Sequence, residues 1–390
     1  MEDGNEYQGY QLPQELVALR DQVKRVIREE VIPAEAKVDP DAPEILDEDY
    51  WRIAHKVQAA GMWCMGSPKQ YGGGGLGMFP MCLLMEEMCQ HRMGLYNPGA
   101  GVFGRTPTPV IWAGTEEQIQ KYAVSTLKNA TYTFFGITEP SGGSDPAGSI
   151  QCRAVRDGDH YVLNGTKIFT SHAHEAEWGV VFTRTDPGAG RGGITAFIIE
   201  KGTPGFTPRP FKVLRTSALP NVVHFEDCRI PVAQRLGPEG GGLSLCMDLL
   251  TGLRFPYSAC NVGIGVAALR MAIDHAKQRK TFGELLARRQ AIQWMLADSE
   301  VELRAARWLI WDGAWKSDRK EDARMEASVA KLYSSEVLGR VVDRAVQIHG
   351  GYCVSKEFPL ERWYREARIR RIGEGPSEVH RMVIARNLLR

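Results

Sequence analysis

Along this chain the spacing of apolar positions changes period twice. Leu16, Leu19, Val23, Val26 and Ile27 recur at helical intervals up to Pro33, which predicts an amphipathic helix over about residues 14–32. Asp49 to Ala60 repeats the pattern, and a glycine-rich turn leads into a further helix that reaches about Gln90. Asn97-Pro98-Gly99-Ala100-Gly101 interrupts it. Gly114-Thr115-Glu116-Glu117-Gln118 reads as a helix start with a capping threonine and early acids. From about residue 131 the period drops to two. Residues 153–156, 160–163 and 167–170 read as strands joined by tight turns at Asp157-Gly158 and Asn164-Gly165, with further strands over 179–183, 194–199 and 222–225. From residue 240 helix returns. Ser258 to Gln278 is apolar over much of its circumference, which marks a buried helix. A second helix carries Ile292, Met295, Leu296, Ser299, Leu303 and Ala306, and a third runs from Met325 through Val329, Leu332, Val337, Val341 and Ala345 to Ile348, closed by Gly350-Gly351. The expectation is a mixed α+β fold: a helical domain over 1–130, a β-barrel-like domain over 131–238, and a helical bundle over 239–390 large enough for a subunit interface.

Composition narrows the function classes. A chain of 390 residues with 43% hydrophobic content can bury large cores. A net charge of +1 argues against nucleic acid as a partner. No apolar run is long enough to span a bilayer. The start, Met1-Glu2-Asp3-Gly4-Asn5-Glu6, has neither secretory nor transit character, and Asn387-Leu388-Leu389-Arg390 is no peroxisomal address. A cytoplasmic location is expected. The eight cysteines fall singly in mostly apolar surroundings, the pattern of reduced packing residues.

Several stretches could carry chemistry. Gly72, Gly74 and Gly77 satisfy Gly-x-Gly-x-x-Gly, but no proper strand precedes them, so a turn is the simpler reading. His172-Ala173-His174-Glu175-Ala176-Glu177 groups imidazoles and carboxylates without helical ligand spacing, and no metal is expected. Ile137-Thr138-Glu139-Pro140-Ser141-Gly142-Gly143-Ser144-Asp145 can form a backbone nest for an anion or a polar ring edge. Gly373-Glu374-Gly375-Pro376 sets one carboxylate between two glycines ahead of a helix that starts at Pro376. A carboxylate there also suits the helix macrodipole without any chemistry.

Four motifs resemble the acyl-CoA dehydrogenase family, in register and over essentially the whole chain: Ile137-Thr138-Glu139-Pro140 with the Gly/Ser tract, Arg279-Lys280-Thr281-Phe282-Gly283, Gln347-Ile348-His349-Gly350-Gly351, and Tyr364-Arg365-Glu366-Ala367 leading to Glu374-Gly375. The resemblance implies FAD as cofactor. It implies that Phe135, Ile137, Thr138 and Ser144 line the flavin, with Ser144 also near the acyl-CoA. Phe169-Thr170-Ser171 stands where the family has an aromatic run beside the isoalloxazine. Arg279, Thr281, Phe282, Gln347, Gly350 and Gly351 are implied contacts to the flavin of a neighbouring subunit, a guanidinium being suited to bidentate pyrophosphate binding, and Gln290 is implied as another contact to the cofactor. Glu378 is a further candidate cofactor contact, while Pro376 replaces a residue that often carries a hydroxyl. Arg254 and Gly375 are implied near the substrate.

By the same resemblance Glu374 is the catalytic base, removing the α-proton of an acyl-CoA thioester while the β-hydrogen passes as hydride to the flavin. The thioester carbonyl is polarised by the backbone N–H of the base and a flavin ribityl hydroxyl, and a dry site makes the base stronger. Electrons then pass to an electron-transferring flavoprotein, and shared sites imply a homo-oligomer, a tetramer. Family members that place the base on the long helix near Arg254 are a poor match, since Leu253 and its neighbours offer no carboxylate. Other readings are a monooxygenase, nitroalkane oxidase or acyl-CoA oxidase on the same fold, and a helical scaffold without catalysis.

Overall fold

The computed structural model describes residues 6–7 and 10–389, so the acidic start before Glu6 and the terminal Arg390 lie outside the described residues. The chain folds into two compact units. Segments up to Ala60, Leu76–Val102 and from Leu253 onward form a helical unit, while Gly61–Gly75 and Phe103–Gly252 form a unit built on a sheet.

In the helical unit the elements are α1 (Gln14–Val26), α2 (Asp47–Ala59), α3 (Met78–Met88), α4 (Gly242–Gln278, in this unit from Leu253), α5 (Gln290–Asp318), α6 (Arg324–His349), α7 (Pro359–Arg370) and α8 (Ser377–Leu388). Their shared core includes Phe255, Val262 and Ile264 of α4, Leu303 and Ile310 of α5, and Leu338 and Val341 of α6. Burial of this many large apolar side chains, each contributing about 1.5–3 kcal/mol, is what holds the helices together. The helix expected to stop at Pro33 instead continues past α1 through a π-turn, Ile27–Val31, into Ile32–Glu35. Pro33 sits in the first turn of that last segment, where a missing N–H costs least. The start of α3 is capped from far along the chain: the Asp318 carboxylate accepts from the N–H groups of Met78 (2.5 Å) and Phe79 (2.9 Å). A Cβ on Gly77 would lie 2.5 Å from that carboxylate, so a side chain there would displace the cap.

The sheet unit has eight strands: β1 (Thr133–Gly136), β2 (Arg153–Asp157), β3 (His160–Ser171), β4 (Trp178–Arg184), β5 (Ile194–Glu200), β6 (Phe206–Pro210), β7 (Pro220–Pro231) and β8 (Arg235–Leu236). Their order is β8-β5-β4-β2-β3-β7-β6, with β1 parallel to β4. Asp157-Gly158 forms the expected hairpin turn between β2 and β3, with Gly158 at φ 62°. Asn164-Gly165 does not turn the chain. β3 runs straight through it as one twelve-residue strand, with a register shift against β7 between Leu163 and Gly165. Asn164 spends its side chain on Asp227 of β7, accepting from its N–H at 2.8 Å and donating to its carboxylate at 3.1 Å. A Cβ on Gly165 would lie 2.8 Å from Cys152. The pair is therefore a bulge packed against its neighbours. The four-glycine tract is no dinucleotide turn either: no strand leads directly into it, and Gly73 and Gly74 press against the carbonyls of Ser67 and Met65. Thr115 caps its helix as expected, in a reciprocal box with Gln118.

Candidate active site

In the helical unit, the link from α7 to α8 presents Glu374 in the left-handed region at φ 58°, followed by Gly375 at φ 94°. A side chain in that region costs about 1–2 kcal/mol and persists only where its surroundings enforce it. Here they do. Arg254 Nε of α4 donates to the Glu374 carbonyl at 3.2 Å, as does His380 Nε2 of α8 at 3.2 Å, and Lys331 Nζ of α6 donates to the Gly375 carbonyl at 2.5 Å. A Cβ on Gly375 would lie 3.1 Å from His380 Nε2, and one on Gly373 would lie 3.1 Å from the Tyr257 hydroxyl, so both glycines admit close approach by these groups. Pro376 is the cap of α8 and Ser377 its first residue, one position later than expected, and the Ser377 hydroxyl donates to Glu336 at 2.8 Å.

Charge in this neck is unusual. Arg254, Lys331 and Arg370 are all buried. Burial, with Arg254 and Lys331 nearby, pushes His380 down to about 3, so it is neutral and its Nε2–H is the donor to Glu374. Burial likewise lowers Lys331 to about 7; the nearby Arg370 and Arg254 push the same way and Glu374 opposes them. Arg370 lies 3.2 Å from the centre of the Tyr257 ring and donates to the Tyr257 carbonyl, the Leu95 carbonyl and Asn261. Burial raises the Tyr257 hydroxyl well above its ordinary value.

A second feature of the same unit is a hollow of about 600 Å³, within the size range of ligand pockets. Arg279, Thr281, Gly350 and Gly351 line it together with His275 and His349, whose rings stack 4.4 Å apart. No Cβ added at Gly350 or Gly351 would meet anything within 4 Å, so this floor is open to a ligand. Burial, with His349 and Arg279 close by, lowers His275 below its usual value. Arg279 is exposed and makes no carboxylate pair among the described residues. Phe282 occupies the tip of a two-residue hairpin with Gly283, both at positive φ, and its side chain is 99% exposed. Gln290, first residue of α5, and Gln347, in the last turn of α6, are exposed, as is Glu378 in the first turn of α8.

In the sheet unit, Ile137 and Thr138 follow β1 and fold over β3: Thr138 accepts from the N–H of Ile168 at 2.8 Å. Beneath them Lys167, fully buried, donates to the Ile137 carbonyl at 3.1 Å and to Glu139 at 2.8 Å. The Glu139 carboxylate in turn accepts from the N–H groups of Gln151 and Cys152. Ser144 stands at φ 64° on the exposed part of the loop. Phe135 is half-buried. A second bulge in β3, between Lys167 and Thr170, places Phe169 at φ 60° and turns its ring 59% out to solvent. Thr170, 1% exposed, points the other way, into the sheet core, while Ser171 accepts from Arg215 at 2.6 Å. His172 pairs with Glu175 and stacks on Tyr132, and His174 meets Asn221. A larger hollow of about 920 Å³ in this unit contains none of the expected site residues.

Comparison with known families settles the identity. Models of the acyl-CoA dehydrogenase N-terminal, middle and C-terminal domains match residues 13–129, 134–228 and 240–389. The chain belongs to the acyl-CoA dehydrogenase family. A short-chain specific acyl-CoA dehydrogenase of Clostridium acetobutylicum is 36% identical, over 94% of this chain and 97% of its own length. The caffeyl-CoA reductase-Etf complex subunit CarC of Acetobacterium woodii is 36% identical, over 87% and 89%. The structure of butyryl-CoA dehydrogenase from Megasphaera elsdenii superposes with a TM-score of 0.85 at 32% identity, covering 98% of this chain and 100% of that one. FAD is the cofactor of the family, as in the FAD complex of the structural neighbour PigA, which is 26% identical with a TM-score of 0.86 over 97% of this chain and 98% of that one. The protein is thus an oxidoreductase of the acyl-CoA dehydrogenase type. No helix among the described residues is long and apolar enough to cross a membrane.

Sequence reading of this family member missed Lys331, His380, Lys167 and Glu139 as the groups that hold the two loops. The signal for Lys331 was present. It stands in line with Ala327, Ser334 and Leu338 on the buried face of α6, where a lysine has no business without a partner.

Proposed function

We propose that this protein catalyses the interconversion of an acyl-CoA thioester and its 2-enoyl-CoA, with Glu374 as the group that takes the α-proton. The observation that carries the proposal is the clamp on the 374–375 backbone: with both carbonyls tied to buried donors, the Glu374 carboxylate is aimed by the backbone and not by a flexible loop. Arg279, Thr281, Gly350 and Gly351 fit a dinucleotide, since the pocket offers an exposed guanidinium over glycine backbone. Phe135, Ile137, Thr138, Ser144, Phe169 and Ser171 would hold the ring system; Thr170 would act through the sheet core instead. Bound FAD supplies the two-electron acceptor for the β-hydrogen. The backbone N–H of Glu374 polarises the thioester carbonyl as charge develops there.

The same residues serve either direction, because the carboxyl that accepts the α-proton returns it in the reverse reaction. The CarC relative, named as a reductase in an Etf complex, supports a direction set by the electron partner, and an electron-transferring flavoprotein is that partner. A fully exposed Phe282 beside the Arg279 pocket supports contributions across a subunit boundary in a homotetramer. Anaerobic titration of the flavin-loaded enzyme with acyl-CoAs of graded length tests the reading: one of them should bleach the flavin stoichiometrically. Rapid reoxidation by air and no bleaching by any thioester would favour an oxygen-using relative.

A further inference from the structure

The mechanism leaves one buried ionisable group unused. Lys331 is 0% exposed, and among the described residues its ammonium donates to the carbonyl of Gly375, the residue directly after the base, at 2.5 Å. A structural lysine usually reaches solvent with its ammonium or meets a carboxylate. This one meets neither. Its electrostatic surroundings come from every element around it: Arg254 from α4, Glu336 from its own helix, Arg370 from α7, Glu374 from the neck and His380 from α8. Against the fixed cations Arg254 and Arg370, the neutral His380 adds no charge.

We propose that Lys331 is a positioning residue for the base, fixing the Gly375 carbonyl so that the Glu374 carboxylate is held in place and setting, by its own charge, how readily Glu374 accepts a proton. This deepens the dehydrogenation reading and rests on it. An ammonium near Glu374 stabilises the carboxylate and so weakens it as a base. Loss of that proton removes one of three neighbouring cations and strengthens it. The lowered value of about 7 puts the change inside the working range of pH. When substrate binds, the proton that leaves the thioester α-carbon ends on Glu374, and Lys331 takes no part in that transfer.

Two variants and two readouts test this. In flavin-loaded wild type, the rate of flavin reduction by acyl-CoA should rise through pH 7. Lys331→Met, uncharged and without the hydrogen bond, should reduce about tenfold more slowly at pH 8 and lack that rise. Lys331→Arg, permanently charged, should keep acyl-CoA affinity within about threefold and also lack the rise. NMR of isotope-labelled lysine, with the Lys331 signal assigned by its absence in either variant, should show it titrating near 7. That measurement needs no turnover. A Lys331 signal that titrates above about pH 9, or a rise through pH 7 retained in both variants, overturns the proposal while leaving the dehydrogenation reading intact. Failure of every acyl-CoA to bleach the wild-type flavin overturns both. Melting temperature and flavin content of each variant separate a folding defect, for which Lys331→Arg is the second route.

Discussion

The loop after α7 and the loop after β1 are mirror images in their chemistry. At 374–375, buried cations and a neutral imidazole donate to backbone carbonyls. At 137–152, a buried carboxylate, Glu139, accepts from backbone N–H groups while Lys167 bridges it to the Ile137 carbonyl. Each device uses ionised side chains to immobilise main chain, so that the neighbouring side chains can stand in strained conformations. Of the eleven non-glycine residues with positive φ among those described, four (Ser144, Phe169, Phe282 and Glu374) are proposed site residues. The two clamps differ in their charge balance. In the sheet the lysine has a carboxylate of its own, so the pair is internally neutral. In the neck the cations outnumber the carboxylates, and the surplus is available to act on the base.

The largest effect should follow from removing the one carboxylate that the neck serves. Glu374→Gln keeps the backbone carbonyl that Arg254 and His380 hold, so FAD and acyl-CoA should still bind. Flavin reduction, followed by stopped-flow absorbance, should fall by at least about 10³, the signature of losing an interaction made only in the transition state. Reduction within tenfold of wild type would move the base elsewhere. Glu139→Gln breaks the other clamp in a different way. It leaves Lys167 buried without its counter-charge, which costs about 3–5 kcal/mol. Urea unfolding of the sheet unit should show it, and Glu139→Gln combined with Lys167→Met should recover part of the loss, since the uncompensated charge is then gone.

Why both loops were legible and the groups that clamp them were not is a matter of distance along the chain. The glycines around Glu374 and the Gly/Ser tract after Thr138 are local signals, readable because backbone conformation constrains composition at those very residues. Lys331 lies 43 positions before Glu374 in sequence, and Lys167 lies 28 after Glu139. Contacts at such separation are set by packing. Of the stripe expected on α6, Val337, Val341, Ala345 and Ile348 are buried, but Met325, Val329 and Leu332 are only half-buried, and in their half of the helix Ala327, Ala330, Lys331 and Ser334 face inward. Small residues there let the helices approach, and a hydropathy pattern weighted toward large side chains looks past them. Asn164-Gly165 failed for a related reason: a turn signal is local, but Asp227 on the adjacent strand used the asparagine for a bulge. Phe169 was expected beside the cofactor from the family resemblance of its run, and its outward pose depends on the second bulge, which no spacing rule displays.

At the proposed nucleotide pocket a smaller effect is expected, because Arg279 is exposed and water can replace part of what it provides. Arg279→Ala should weaken FAD binding about 10- to 100-fold, the range for a hydrogen bond to a charged partner, as measured by flavin release on dilution. Arg279→Lys should restore only part of it, since an ammonium lacks the planar fork.

The smallest effect tests whether strain is tolerated because it is used. Lys320 has φ 63° just beyond the end of α5, exposed and away from every proposed contact, with its N–H returning to the Ser317 carbonyl at 3.0 Å. Helices commonly end on glycine in that conformation. Lysine there loses about 1–2 kcal/mol to the left-handed backbone, and glycine gives back roughly 0.5–1 kcal/mol of that through its greater freedom when unfolded. Lys320→Gly should therefore stabilise by about 0.5–1 kcal/mol, a rise of a few degrees at most in melting temperature, with unchanged flavin reduction. Phe169→Gly relieves the same kind of strain but removes a ring proposed to face the cofactor, so it should lose flavin affinity as it gains stability. If both substitutions behaved alike, positive φ in this protein would be mere tolerance of poor geometry, and its concentration at Ser144, Phe169, Phe282 and Glu374 would carry no functional meaning.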